Sequence, residues 1–162
     1  GGFRFYFMNG ETKTYIDAYV YDTANNKVGI QLTATPTCTW KYDADLGVLT
    51  TVVAEKTWYL GTYNTYNTMS LSETYRISGD KAADVGVSQF PAYLATLSPA
   101  DYVPENVKTP AKETAYKFYL LQNKRGGEIL YFAGAMSGNY LATTTSISTR
   151  VKPFLLPAFL DQ

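Results

Sequence analysis

Apolar and polar residues alternate along three stretches of the chain, in the same order each time. Phe3-Arg4-Phe5-Tyr6-Phe7, Gly47-Val48-Leu49-Thr50-Thr51-Val52-Val53 and Tyr116-Lys117-Phe118-Tyr119-Leu120-Leu121 open the three stretches. Each leads into an aromatic-aliphatic segment: Tyr15-Ile16, Trp58-Tyr59-Leu60 and Ile129-Leu130-Tyr131-Phe132. Past a small polar turn come Val28-Gly29-Ile30-Gln31-Leu32-Thr33, Thr68-Met69-Ser70-Leu71-Ser72 and Asn139-Tyr140-Leu141-Ala142-Thr143-Thr144, and the stretches close on Trp40, Phe90 and Phe154. Alternation with period two sends one face of a strand into a core, so four short strands are predicted per stretch. Recurrence at a period of roughly 40 to 50 residues marks one supersecondary unit used repeatedly, too small to bury its apolar face alone. Three units, about 2–46, 47–96 and 115–162, predict a closed threefold all-β domain. The alternatives are a β-sandwich, which also shows short strands at regular spacing, and a tandem pair of small barrels.

Between the second and third units, residues 97–114 hold Pro99, Pro104 and Pro110 among Lys, Glu and Thr, the composition of an extended linker. Ser98-Pro99-Ala100-Asp101-Tyr102 is the best helical signal, one turn long before Pro104 ends it. Gly126-Gly127, after Lys124-Arg125, signals a hairpin. It lacks the Gly-Lys-Ser/Thr ending of a phosphate loop.

Composition narrows the partners. With 14 Lys+Arg against 14 Asp+Glu the formal charge is zero, which argues against nucleic acid, whose phosphates demand excess cations. Lys124, Arg125, Arg150 and Lys152 form the one local basic group, read as solvated charges. Fifteen Tyr and only 17% charged residues suit pleated, half-buried surfaces. The single cysteine, Cys38, permits no intrachain disulfide and reads as a small buried apolar residue beside Trp40. No apolar run reaches the roughly 18 residues of a membrane-spanning helix. A chain opening Gly1-Gly2 without Met reads as a mature product or an excised piece.

No histidine is present, which removes the commonest general base and the commonest metal ligand. Only carboxylates remain for acid-base work. Glycoside hydrolysis needs two of them roughly 5 to 10 Å apart. Asp43 with Asp45, and Asp80 with Asp84, are the available pairs, and Asp43-Ala44-Asp45-Leu46-Gly47 reads as turn chemistry. Asp22, Asn25 and Asn26 place oxygen donors in one loop, as calcium requires, yet an Asn-Asn turn explains the same residues. No catalytic residue, metal or cofactor is assigned.

Tyr63-Asn64-Thr65 and Tyr66-Asn67-Thr68 repeat a triplet in a segment without charge. Sugars present apolar C–H faces ringed by hydroxyls, so flat aromatic rings beside amides form a suitable shallow site. Tyr63, Asn64, Tyr66 and Asn67 are therefore candidate ligand contacts, joined by Asp17, Tyr19 and Tyr21 on the corresponding hairpin of unit one. The bland alternative is a hairpin whose tyrosines pack on a barrel rim while Asn and Thr satisfy a turn.

Two resemblances add to this. The three four-stranded units resemble the β-trefoil, whose repeats form a six-stranded barrel capped by three hairpins. Sugar-binding trefoils often repeat Gln-x-Trp near the end of each unit; here those places read Cys38-Thr39-Trp40, Ser88-Gln89-Phe90 and Lys152-Pro153-Phe154, so the ricin-type subclass is not matched. The runs Tyr59-Leu60-Gly61-Thr62-Tyr63-Asn64-Thr65-Tyr66-Asn67-Thr68, Gly86-Val87-Ser88-Gln89-Phe90-Pro91-Ala92 and 131–144 resemble tandem modules of large secreted proteins of anaerobic bacteria, read in a shifted register. That resemblance implies a secreted or cell-surface setting and names no activity. The expected function is a non-catalytic extracellular module binding a glycan. The alternative is a structural or protein-interaction repeat, a spacer or adhesin module, contacting a surface protein. A monomer is expected, with a domain-swapped dimer permitted by the linker.

Overall fold

The structure, a computed structural model, describes residues 2–43, 45–63, 66–75, 87–88, 90–96, 116–125, 127–147 and 154–157. The linker at 97–114 with its one-turn helical signal, Asn64, Asp80, Asp84, Arg150 and Lys152 lie outside these residues. The chain is all-β, and among the described residues no helix is long and apolar enough to cross a membrane.

Unit one contributes β1 (Tyr6–Asn9), β2 (Thr12–Asp22), β3 (Lys27–Thr33) and β4 (Trp40–Asp43). Unit two contributes β5 (Val48–Val53), β6 (Lys56–Thr62), β7 (Thr68–Ser72), β8 (Thr74–Tyr75), β9 (Val87–Ser88), β10 (Phe90–Pro91) and β11 (Tyr93–Thr96). Unit three contributes β12 (Tyr116–Arg125), β13 (Glu128–Ser137), β14 (Tyr140–Thr144) and β15 (Phe154–Pro157).

The same antiparallel pairings recur. First pairs with second strand and second with third in every unit: β1–β2–β3, β5–β6–β7 and β12–β13–β14. In unit one the closing strand returns to the start, where Phe3 and Trp40 exchange backbone hydrogen bonds of 2.8 and 2.7 Å. In unit three β15 returns likewise, with Phe154 opposite Tyr119. Each closing strand also passes on to the next unit: Trp40 faces Thr51, and Leu94 faces Leu121. β15 lies against β1, bringing the last strand back to the first in a near-barrel.

Unit two departs from the expected equivalence of Trp40, Phe90 and Phe154. Phe90 pairs with Thr62 on β6 instead of the first strand of its unit. The link to β5 falls to Ala92, whose carbonyl accepts from Leu49 N at 3.1 Å while its own N–H donates to Leu60 O at 2.9 Å. Pro91, beside Gly61, has no N–H to give, so the ladder is interrupted there.

An aromatic cluster joins the ends of the chain. Phe5 meets Phe154 edge to face at 4.9 Å, Phe132 stacks on Phe154 at 5.9 Å, and Phe7 meets Phe132 at 5.5 Å. All four rings are buried, and each edge-to-face pair adds about 0.5–1.5 kcal/mol beyond area burial. Buried Trp40 donates its indole N–H to Ile16 O at 3.0 Å. The third strands β3, β7 and β14 come together and add Ile30, Met69 and Leu141 to the same core: Leu141 pairs with Met69, and Ile30 N donates to Asn139 O at 3.1 Å.

Candidate functional site

Tyr63 and Tyr66, the first residues of the two triplets, lie between β6 and β7. Tyr66 N donates to Tyr63 O at 3.3 Å, which folds the loop and sets the two rings edge to face, 6.1 Å apart at 81°. Tyr63 is half-buried, whereas Tyr66 is 61% exposed. Tyr66 is thus a flat apolar surface open to solvent and propped from behind.

The prop extends into unit three. Arg125, the last residue of β12, donates from Nη1 to the Tyr66 carbonyl at 2.5 Å and from Nη2 to Asn67 Oδ1 at 2.7 Å. Its charge is matched by Glu128 across the tight hairpin at 2.9 Å. The Thr143 hydroxyl donates to the Asn67 carbonyl. At the root of the loop, buried Asn123 donates from Nδ2 to Thr62 Oγ1 at 2.6 Å, while its Oδ1 has no partner among the described residues. Its side-chain oxygen held by Arg125, Asn67 is fixed in place with its amide nitrogen on the side away from the guanidinium.

The structure therefore brings Tyr63, Tyr66 and Asn67 together and adds Arg125, Glu128 and Thr143. The segment carries no charge of its own, but it is fastened by an ion pair from another unit.

Tyr19 and Tyr21 stand at the end of β2, rings 6.3 Å apart, with Tyr21 44% exposed. Tyr21 meets unit three at a different junction, over Gly29 beside Asn139. Asp17, expected to join them as a ligand contact, is instead buried. Its Oδ1 accepts from Thr37 N at 3.0 Å and Cys38 N at 2.9 Å, and its Oδ2 from Gln31 Nε2 at 3.0 Å and Thr37 Oγ1 at 3.3 Å. Burial raises its pKa, but the hydrogen bonds from Cys38, Gln31 and Thr37 outweigh that effect and hold the carboxyl below the ordinary carboxylate range. Strand alternation aims residues 17 and 19 alike, and past the register shift between Val20 and Asp22 the Tyr21 ring comes down over Gly29, opposite Tyr19. The segment around Thr37 and Cys38 covers that face at Asp17 and leaves it open only toward the hairpin.

The remaining candidates among the described residues resolve as turns. Both carboxylate oxygens of Asp22 accept from Asn25, at 3.2 Å from N and 2.8 Å from Nδ2, and Asn26 adopts φ 52°. Asp43 Oδ1 accepts from Asp45 N and Leu46 N at 3.1 and 3.0 Å, ahead of Gly47 at φ 68°. Among the described residues no three His, Cys, Asp or Glu side chains gather in a way that could hold a metal. Burial, reinforced by neighbouring Asp17, pushes the Cys38 thiol up to about 11.

No family model matches the chain, and neither a curated protein nor a solved structure was found similar to it.

Proposed function

We propose that the chain is a non-catalytic, extracellular carbohydrate-binding module of β-trefoil type, with Tyr63, Tyr66 and Asn67 as its ligand contacts. The observation that carries the reading is the exposed Tyr66 ring held edge to face on Tyr63 within a loop fastened by Arg125. A sugar ring stacks its C–H face on such a surface, and fixing the loop beforehand removes part of the ordering cost of binding. The neighbouring Asn67 amide supplies the hydrogen bonds that distinguish hydroxyl arrangements. Support for the trefoil comes from the recurrence of first-to-second and second-to-third pairings in all three units, and from closing strands that lead into the next unit. A glycan array probed with the whole chain tests the reading. Capture of a defined glycan class by the parent, lost in Tyr66→Ala at unchanged melting temperature, is the expected result. A blank array together with capture of a purified cell-surface protein would move the assignment to a protein-interaction module.

A further inference from the structure

Ladder register relates the two tyrosine pairs. Tyr6 opposite Tyr15 puts Ile16 beside Phe5, and Thr50 opposite Tyr59 puts Leu60 beside Leu49. Tyr19 follows Ile16 by the same three residues that separate Tyr63 from Leu60. Tyr19 and Tyr63 therefore occupy the same place in successive units, and each is accompanied by a more exposed ring, Tyr21 or Tyr66. Unit three, counted from Phe132, has Ala135 at that place. It supplies instead a flank to each pair, Arg125 and Glu128 beside Tyr66, and Asn139 beside Tyr21.

The Tyr21 flank is built closely. A Cβ added to Gly29 would lie 2.9 Å from Tyr21 Cδ1 and 3.1 Å from Asn139 Cβ, so the tyrosine ring and the asparagine stand over one bare stretch of backbone. The hydrogen bond from Ile30 N to Asn139 O, 3.1 Å, ties the two hairpins together beneath them. Tyr140, next to Asn139, is 50% exposed. Asp22, the nearest carboxylate along β2, has both oxygens taken by Asn25. The result is an open ring and an asparagine over a fixed floor, with the one nearby carboxylate, Asp22, engaged by Asn25 and facing Lys27 across the ladder.

We propose that Tyr21, Asn139 and Tyr140, over the floor of Gly29, form a second site for a neutral polysaccharide, making the single chain bivalent toward a polymeric glycan. This rests on the carbohydrate reading of the Tyr66 site. A sugar residue stacks on Tyr21 and is oriented by the Asn139 amide, while another segment of the same polymer occupies Tyr66. Linking two weak contacts raises apparent affinity without any new contact, because the second event becomes intramolecular.

The test uses the whole chain and three immobilised neutral polysaccharides, a β-glucan, a xylan and a mannan, followed by calorimetry with a hexasaccharide of whichever is captured. Two hexasaccharides per parent chain are expected, and one per chain in Tyr21→Ala and in Tyr66→Ala. Binding to the polymer should fall about tenfold or more in either variant. Gly29→Ala keeps both tyrosines but displaces the Tyr21 ring, and should also bind one hexasaccharide; circular dichroism and melting confirm that each variant folds. One hexasaccharide per parent chain, unaffected by Tyr21→Ala and Gly29→Ala and lost in Tyr66→Ala, overturns the second site and leaves the first standing. No capture of any of the three polymers by the parent overturns the carbohydrate reading and the second site together.

Discussion

At the junction of units two and three, β7 is laddered to β14 as far as Thr68 opposite Ala142, and the tyrosine loop beyond that ladder is held by side chains: the Arg125 guanidinium grips Tyr66 O and Asn67 Oδ1, and the Thr143 hydroxyl takes the Asn67 carbonyl. At the junction of units one and three, the hold is in the main chain, from Ile30 N to Asn139 O, with Gly29 letting the Tyr21 ring close down on backbone. The roots differ as well. Below Tyr19 and Tyr21 lies a buried carboxylate, Asp17, with both oxygens bonded; below Tyr63 lies a neutral amide, Asn123, with one oxygen left over. A side-chain fastening can be removed by one substitution and weakened by salt, whereas a main-chain fastening answers only to changes that move the backbone. The first junction is therefore the adjustable one.

The largest effect is expected at the charged root. Asp17→Ala strands the backbone N–H of Cys38 in the interior, takes the acceptor from Thr37 and Gln31, and should cost about 3–5 kcal/mol in denaturant unfolding. The pH response has a definite sign. The folded-state pKa of Asp17 is held below its ordinary value of 3.8, so its contribution is complete above that value and is lost as the pH falls below it toward the folded pKa. Melting temperature measured against pH should show that acid limb in the parent and a shallower one in Asp17→Asn.

The neutral root should respond less. Asn123→Ala leaves Thr62 Oγ1 buried without its donor and should cost about 1–3 kcal/mol, while the pair Asn123→Leu with Thr62→Val should come out near neutral. Equal losses from the single and double changes would mean that packing, and not the hydrogen bond, sets the energetics there.

Arg125→Ala comes next, with about 1 kcal/mol lost because the pair is partly exposed. Its clearer signature is faster amide hydrogen exchange at residues 66–68 without a matching change at residues 29–31. Matched acceleration at both junctions would erase the distinction between side-chain and main-chain fastening. Tyr66→Ala should be smallest in stability, within about 0.5 kcal/mol, since that ring lies mostly in water.

Strand cores such as Phe3-Arg4-Phe5-Tyr6-Phe7 and Trp58-Tyr59-Leu60 were legible because alternation reports which face is buried, whatever covers it. What does the covering is not a local property. Asp17 shares the aim of Tyr19, and its burial depends on backbone 20 and 21 residues away. Arg125 reaches Tyr66 across 59 residues, a distance at which only the folded ladder decides neighbours. The Lys124-Arg125-Gly126-Gly127 hairpin was visible, but its target was not. Phe90 misled because the position that touches the first strand in unit two is filled by Ala92, a residue too small to stand out in a hydrophobic pattern.

Cys38 carries a consequence of a kinetic kind. Its sulfur is buried, accepts a hydrogen bond from Ala18 N at 3.3 Å, and ionises only near 11, so the native thiol is a poor nucleophile at neutral pH. Alkylating reagents and disulfides reach it when the Asp17-anchored segment lifts away, and in the limit of fast reclosing the labelling rate measures the fraction of time that segment is open. The chain thus carries its own gauge of the opening of unit one, and while that fraction is small a lone cysteine does not couple one copy to another.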